Sequence, residues 1–161
     1  MPATAENLHS ARRLLREWLI SARWPRDEIE QVVVAVNEAM SNAIGHAYLT
    51  AAAPPGRHRS VDVHGVVEPA SSADQQATGA RAARVADADA TEARWRARIE
   101  TVDHGMWRLS DVDLHDQLRH RGRGLPMMEA LMDQVTIGVA PGGGTRVALI
   151  KNVTMSEVDR G

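Results

Sequence analysis

The chain has 161 residues, of which 43% are hydrophobic, 25% charged and 3% aromatic, with a formal net charge of −2. This length suits one domain around a single core, and the apolar share excludes wholesale disorder and fibrous repeats. The absence of cysteine removes disulfides, thiolate catalysis and cysteine-based zinc sites, and the near-neutral charge offers no general field for nucleic acid.

No apolar run approaches the roughly 20 residues of a membrane span, and no signal-peptide pattern opens the chain. A cytoplasmic location without a membrane partner is therefore expected. Lys151 is the only lysine, the other basic residues being arginines, which reads as a compositional bias.

Residues 8–22 predict an amphipathic helix, with Leu8, Ala11, Leu15, Trp18 and Ala22 on one stripe and Leu14 and Leu19 beside it. Pro25 ends that segment. Residues 26–48 carry the strongest helical period: Ile29, Val32, Val33, Val36, Met40, Ala43, Ile44 and Ala47, with Asp27 and Glu28 at the positive end of the helix dipole. Pro54 and Pro55 mark a linker.

Val61, Val63, Gly65 and Val67 alternate with Asp62 and His64, as in a half-buried strand. Residues 69–93 lose all period and read as a low-complexity insertion, expected to be a mobile loop, with a short helix over 79–93 as an alternative. A second strand covers 94–103, with Trp95, Ala97, Ile99 and Thr101 facing one way. An irregular stretch over 104–122 precedes a helix at 125–133. Alternating runs at Val135, Ile137 and Val139 and at Thr145, Val147 and Leu149 flank Pro141–Gly144, which predicts an antiparallel hairpin. The whole predicts an α+β fold: a two-layer sandwich with a mixed, mostly antiparallel sheet covered on one face by about three helices.

Several residues could carry chemistry. Glu38, Asn42 and His46 stand four apart on the long helix, away from its apolar stripe. Glu38 or His46 alone reads first as part of a solvated face, but Asn42 is a poor helix former in mid-helix. An amide carbonyl oxygen suits Mg²⁺, and a carboxylate one turn away suits a hydroxyl proton. Strand parity turns Asp103 toward the core side, where a bare carboxylate is costly without a partner or a ligand donor. Gly105 nearby permits close backbone approach, although Asp-His-Gly is also an ordinary turn.

Arg121, Gly122, Arg123 and Gly124 lead into a helix start, an arrangement that gathers N–H groups into an anion site. Nucleic-acid binding is the rival reading of these arginines, but aromatic interleaving is lacking. No phosphate loop with a lysine is present, and none of the seven histidines forms a helical His-x-x-x-His pair for zinc. Thr145 falls on the inward parity of the last strand.

Together these segments resemble the histidine-kinase-like ATPases of the GHKL or Bergerat fold. The run from Glu38 through Asn42 and His46 to Tyr48 resembles their N box. Val102 to Arg108 resembles the first glycine box, Arg121 to Met128 the second, and Gly144-Thr145 the closing threonine motif. The chain is most similar to the anti-sigma-factor serine kinases of the RsbW and SpoIIAB type in the actinobacterial branch, over nearly its whole length apart from 69–93.

The resemblance implies a single ATPase domain over 1–161 with an ATP lid at 106–124, using ATP and Mg²⁺. It implies Asn42 as Mg²⁺ ligand, Glu38 as general base toward a protein serine, and Asp103 as acceptor from the adenine amino group, helped by Gly105 and Thr145. Arg121, Gly122, Arg123, Gly124 and Leu125, with His46, would complete the nucleotide site. Such kinases phosphorylate a serine on a STAS-domain anti-sigma-factor antagonist, sequester an alternative sigma factor in another state, and are commonly homodimers.

Two features depart from the pattern: Trp107 replaces the second glycine of the first glycine box, and little room precedes helix 8–22 for the family's first strand. Met1–Asn7 is read as its remnant, or the chain as an excised domain. Alternative functions are a non-catalytic nucleotide-binding or sequestering regulator of the same fold, and the ATPase domain of a sensor histidine kinase.

Overall fold

A computed structural model describes residues 5–49, 60–70, 92–104, 123–141 and 144–156. Helix α1 spans Ala5–Ser21 and α2 spans Arg26–Leu49. The break between them is a tight turn in which Arg23 takes a positive φ of 58° and the Trp24 N–H reaches back to the Leu19 carbonyl at 2.9 Å. The first helix stops at Ser21, four residues before the Pro25 expected to end it, and Pro25 instead precedes α2, its carbonyl accepting from the N–H groups of Glu28 and Ile29 at 3.1 and 3.0 Å. Asp27 and Glu28 do occupy the first turn, where the helix dipole favours negative charge.

Strands β1 (Val61–Pro69), β2 (Glu92–Asp103), β3 (Gln134–Val139) and β4 (Thr145–Ser156) form one sheet in the order β1-β2-β4-β3. All three pairings are antiparallel, so no parallel pair accompanies them among the described residues. The short helix α3 (Gly124–Leu131) lies between β2 and β3 in the chain. The result is an α+β sandwich with its helices packed on one face of an open sheet, as the patterning predicted.

The core lies between the layers. Ala97 and Ile99 on β2, Val61 on β1, and Val147, Leu149 and Val153 on β4 meet Leu15 and Leu19 of α1, the α2 stripe, and Leu125 and Met128 of α3. Strand parity is as read from the sequence in β1 and β2. The buried arc of α2 is wider than its predicted stripe, adding Ala35 and Ala39. Small side chains there match its position as the central helix, packed by α1, α3 and the sheet together.

Several boundaries move. Pro69 belongs to β1 and pairs with Trp95, while Glu92 and Ala93 belong to β2, so both ends of the expected 69–93 insertion are strand. A proline is tolerated there because β1 is an edge strand, where a missing N–H breaks no second ladder. The alternative helix over 79–93 fails at its last two residues, and 71–91 lies outside the described residues. The predicted helix 125–133 ends at Leu131: Met132 turns extended (φ −111°, ψ 151°), and the Asp133 N–H joins the Ile150 carbonyl at 2.9 Å. Strand β4 runs well past Leu149 because the long β2 offers partners as far as Glu92↔Ser156.

The lone lysine is structural. Lys151, 12% exposed, donates from Nζ to Gln31 Oε1 and to the Leu131 carbonyl, both at 2.9 Å, and sits 3.0 Å from Glu28 Oε2. It thus joins β4 to the N-terminal turns of α2 and the C-terminal end of α3, where a cation opposes the negative pole of the helix dipole. Lys151→Met removes the charge but leaves Glu28 and the Leu131 carbonyl without it. We expect a loss of about 2 kcal/mol in urea unfolding at pH 7, since breaking a partly buried pair strands its partner; a loss indistinguishable from zero would exclude this role.

On the open sheet face Glu100 accepts from Arg146 and Arg98, and the Arg146 hydrogen bond is the main reason its carboxyl lies below the ordinary glutamate value. A depressed folded pKa stabilises above the unfolded value and loses that contribution as pH falls through the folded one. Glu100→Gln should therefore cost about 0.5–1 kcal/mol at pH 7, with the difference from wild type vanishing well below pH 4 in a pH series of thermal melts.

Candidate functional site

Glu38 and Asn42 project from one margin of α2, one turn apart. This margin is not simply solvated, because the first residue of α3 is set against it. A Cβ placed on Gly124 would stand 3.1 Å from Glu38 Oε2 and 3.1 Å from Asn42 Nδ2. Only a residue without a side chain lets the α3 backbone approach the acid and the amide so closely without displacing them. Arg123, at the N-cap with φ −82° and ψ −7°, makes no side-chain cap, so the first-turn N–H groups of α3 have no side-chain acceptor from that position. Its own side chain is exposed. Leu125, also expected at the site, is buried among the core residues.

The second part of the site lies at the end of β2. Asp103 is 4% exposed, on the inward face with Ala97, Ile99 and Thr101. The register that pairs Val102 with Arg146 brings Asp103 to the start of β4, where the Thr145 N–H donates to Asp103 Oδ2 at 3.1 Å. Gly144 makes this approach possible. Its φ is +86°, and a Cβ there would fall 2.1 Å from the Asp103 carbonyl oxygen and 2.8 Å from Oδ1. A backbone donor and a tight turn thus help to offset the burial of the carboxylate. The next residue, His104, places Nε2 2.7 Å from Asp62 Oδ2, and this hydrogen bond is the main cause that holds the Asp62 carboxyl below its ordinary value.

Of the residues singled out in the sequence, Glu38, Asn42 and Gly124 come together, as do Asp103 and Thr145. The Thr145 contact runs through its N–H. His46 lies within α2, but its side chain, like Gly105, Trp107, Arg121 and Gly122 and the rest of the expected lid up to 122, is outside the described residues. Gly144 was not singled out as a site residue. Its signals were the Gly142-Gly143-Gly144 run, read as a hairpin turn, and its place beside Thr145 in the closing threonine motif. A separate groove of about 450 Å³ between α1, α2 and β1, lined by Leu14, Trp18, Met40 and Val63 among others, includes none of these site residues.

The chain matches the family model of the histidine kinase-like ATPase domain over residues 1–151, and it belongs to that family. Domains of this family bind ATP, usually with Mg²⁺. The residues present fit such a group. Mg²⁺ commonly takes one or two protein oxygens and completes its shell with phosphate oxygens and water. The Asn42 amide, set beside the start of α3, is a group that could supply one such oxygen. No described helix is long and apolar enough to cross a membrane.

Gly144→Ala tests whether the turn serves the site. The positive φ and the contact with the Asp103 backbone predict about 1–3 kcal/mol of strain and displacement of the Asp103 carboxylate. Calorimetric titration of Mg-ATP should show affinity reduced at least about 10-fold, in line with the strain converted to binding; wild-type affinity would separate the turn from the ligand.

Proposed function

We propose that the chain is an ATP-dependent serine-protein kinase and anti-sigma factor that acts in the cytoplasm. It would phosphorylate a STAS-domain antagonist and sequester an alternative sigma factor, with a homodimer as its working form. The observation that carries this reading is the apposition of Glu38, Asn42 and the Gly124 backbone. A kinase needs a proton acceptor, a metal-holding oxygen and phosphate-facing N–H groups at one point, and these three residues bring those functions together.

In this reading Asp103 accepts from the exocyclic amine of adenine and so orients the nucleotide. The α3 N-terminus, with Arg123 beside it, faces the phosphates through N–H groups and positive charge. The Asn42 carbonyl oxygen would hold Mg²⁺, which would supply positive charge to offset that of the phosphates. Glu38 accepts the proton of the attacking serine hydroxyl as its oxygen bonds to the γ-phosphorus and the bond to the ADP oxygen breaks. Positioning and charge stabilisation supply most of the rate in such a transfer, so no covalent enzyme intermediate is required.

The discriminating experiment is incubation with labelled ATP and STAS-domain proteins from the same genome. Glu38→Ala should lower transfer to serine by at least about 100-fold while Mg-ATP affinity stays within about 3-fold, as expected for loss of a general base. Asp103→Asn should abolish ATP binding. Transfer by Glu38→Ala at the wild-type rate would remove the assigned base. ATP binding and sigma-factor capture without any transfer would favour the non-catalytic regulator, a reading that draws on Trp107 in place of a glycine.

A further inference from the structure

Thr101 sits one pleat before Asp103 on the inward face of β2 and is 1% exposed. Its Oγ1 is buried and has no hydrogen-bond partner among the described residues. The residues paired with it are Val63 on β1 and Val147 on β4, so no cross-strand side chain supplies an acceptor. Because β2 is flanked on both sides, its backbone groups are engaged in two ladders. Its preceding inward neighbours, Ala97 and Ile99, are fully apolar. A hydroxyl in this row is costly when unpaired, and valine has the same shape without the cost. The one hydroxyl in the row stands next to the one carboxylate, about 7 Å away along the strand between Cα atoms at the usual rise per residue. A polar edge held by Asp103, or a single water beside it, is within reach of both groups.

We propose that Thr101 is a specificity-determining residue of the nucleotide site: its hydroxyl contacts the edge of the adenine ring, directly or through one ordered water, beside the point where Asp103 receives the base. The proposal rests on the ATP-site reading above and adds to it a base contact on β2. It explains why a hydroxyl without a hydrogen-bond partner among the described residues stands between the apolar residues of the row and Asp103. The phosphates, placed at the α3 N-terminus, are outside its reach, so its effect is on base choice.

The test uses the whole chain and its Thr101→Val and Thr101→Ser variants, titrated with Mg-ATP, Mg-GTP and inorganic tripolyphosphate and melted without ligand. Thr101→Val should melt at or above the wild-type temperature, because an unpaired buried hydroxyl has been removed. Its ATP affinity should fall about 3- to 10-fold, the size of one neutral hydrogen bond, with a narrowed preference for ATP over GTP and unchanged tripolyphosphate binding. Thr101→Ser should stay within about 2-fold of wild type for ATP, since it keeps the hydroxyl.

Wild-type ATP affinity in Thr101→Val overturns the proposal, as does an equal loss of ATP and tripolyphosphate, or a Ser variant as weak as the Val variant. Should the valine variant fail to fold, the serine variant alone decides: retained ATP preference supports the role and a lost preference overturns it. Failure of the wild type to bind ATP defeats the ATP-site reading and this proposal together, whereas wild-type binding with an indifferent Thr101→Val defeats only the latter.

Discussion

Helix α2 is packed by α1, by α3 and by the sheet, and most of what positions the site follows from that confinement. A helix buried on so wide an arc leaves little room for polar side chains, and Ala35, Ala39 and Ala43 keep its neighbours close. Glu38 and Asn42 lie on the margin that remains, where α3 begins. The start of α3 rests against residues 38 and 42, while its end is tied through Lys151 to residues 28 and 31. The short helix therefore runs antiparallel to α2 and is fixed at both ends. The lysine secures the end remote from the acid and the amide, so the separation of Gly124 from them depends on a contact about two turns away.

A second constraint acts at Asp103. A carboxylate on the core side of a sheet must be supplied with donors, and the fold meets this with the Thr145 N–H and the left-handed turn at Gly144. The hairpin joining β3 to β4 thus has two roles: it closes the sheet and it frames the carboxylate. Thr101, on the same row, is the polar residue that this framing leaves without a hydrogen-bond partner among the described residues. In the proposed reading the base-facing groups on the sheet and the phosphate-facing groups on the helices would be held by different layers, one for each end of a nucleotide.

Much of this was legible in the residues. The 3–4 spacing of α2 and the alternation of β1 and β2 define both layers and the inward row ending at Asp103, because those patterns report directly which side of an element meets the core. Four short motifs in order gave the ATPase family, which the family match over 1–151 bears out. Less legible were the boundaries. Pro69 and the segment 92–93 look like breaker and loop in isolation, yet they are strand because an edge position and a long partner accept them. Glu38 and Asn42 could be placed on one margin of a helix, but a solvated face and a site have the same spacing; that α3 begins against them appears only in the packing.

By itself, then, the sequence determined the class of fold, the faces of its elements and the chemical types at the site, since burial patterns and short motifs are local properties of the chain. Tertiary structure alone decided what meets what. The pairing of Gly144 with Asp103 joins residues 41 positions apart, and Lys151 reaches Gln31 across 120. No local preference encodes such separations, because they arise from strand register and helix packing around a shared core. The lone lysine, at first a matter of composition, became the tie between two helices for that reason.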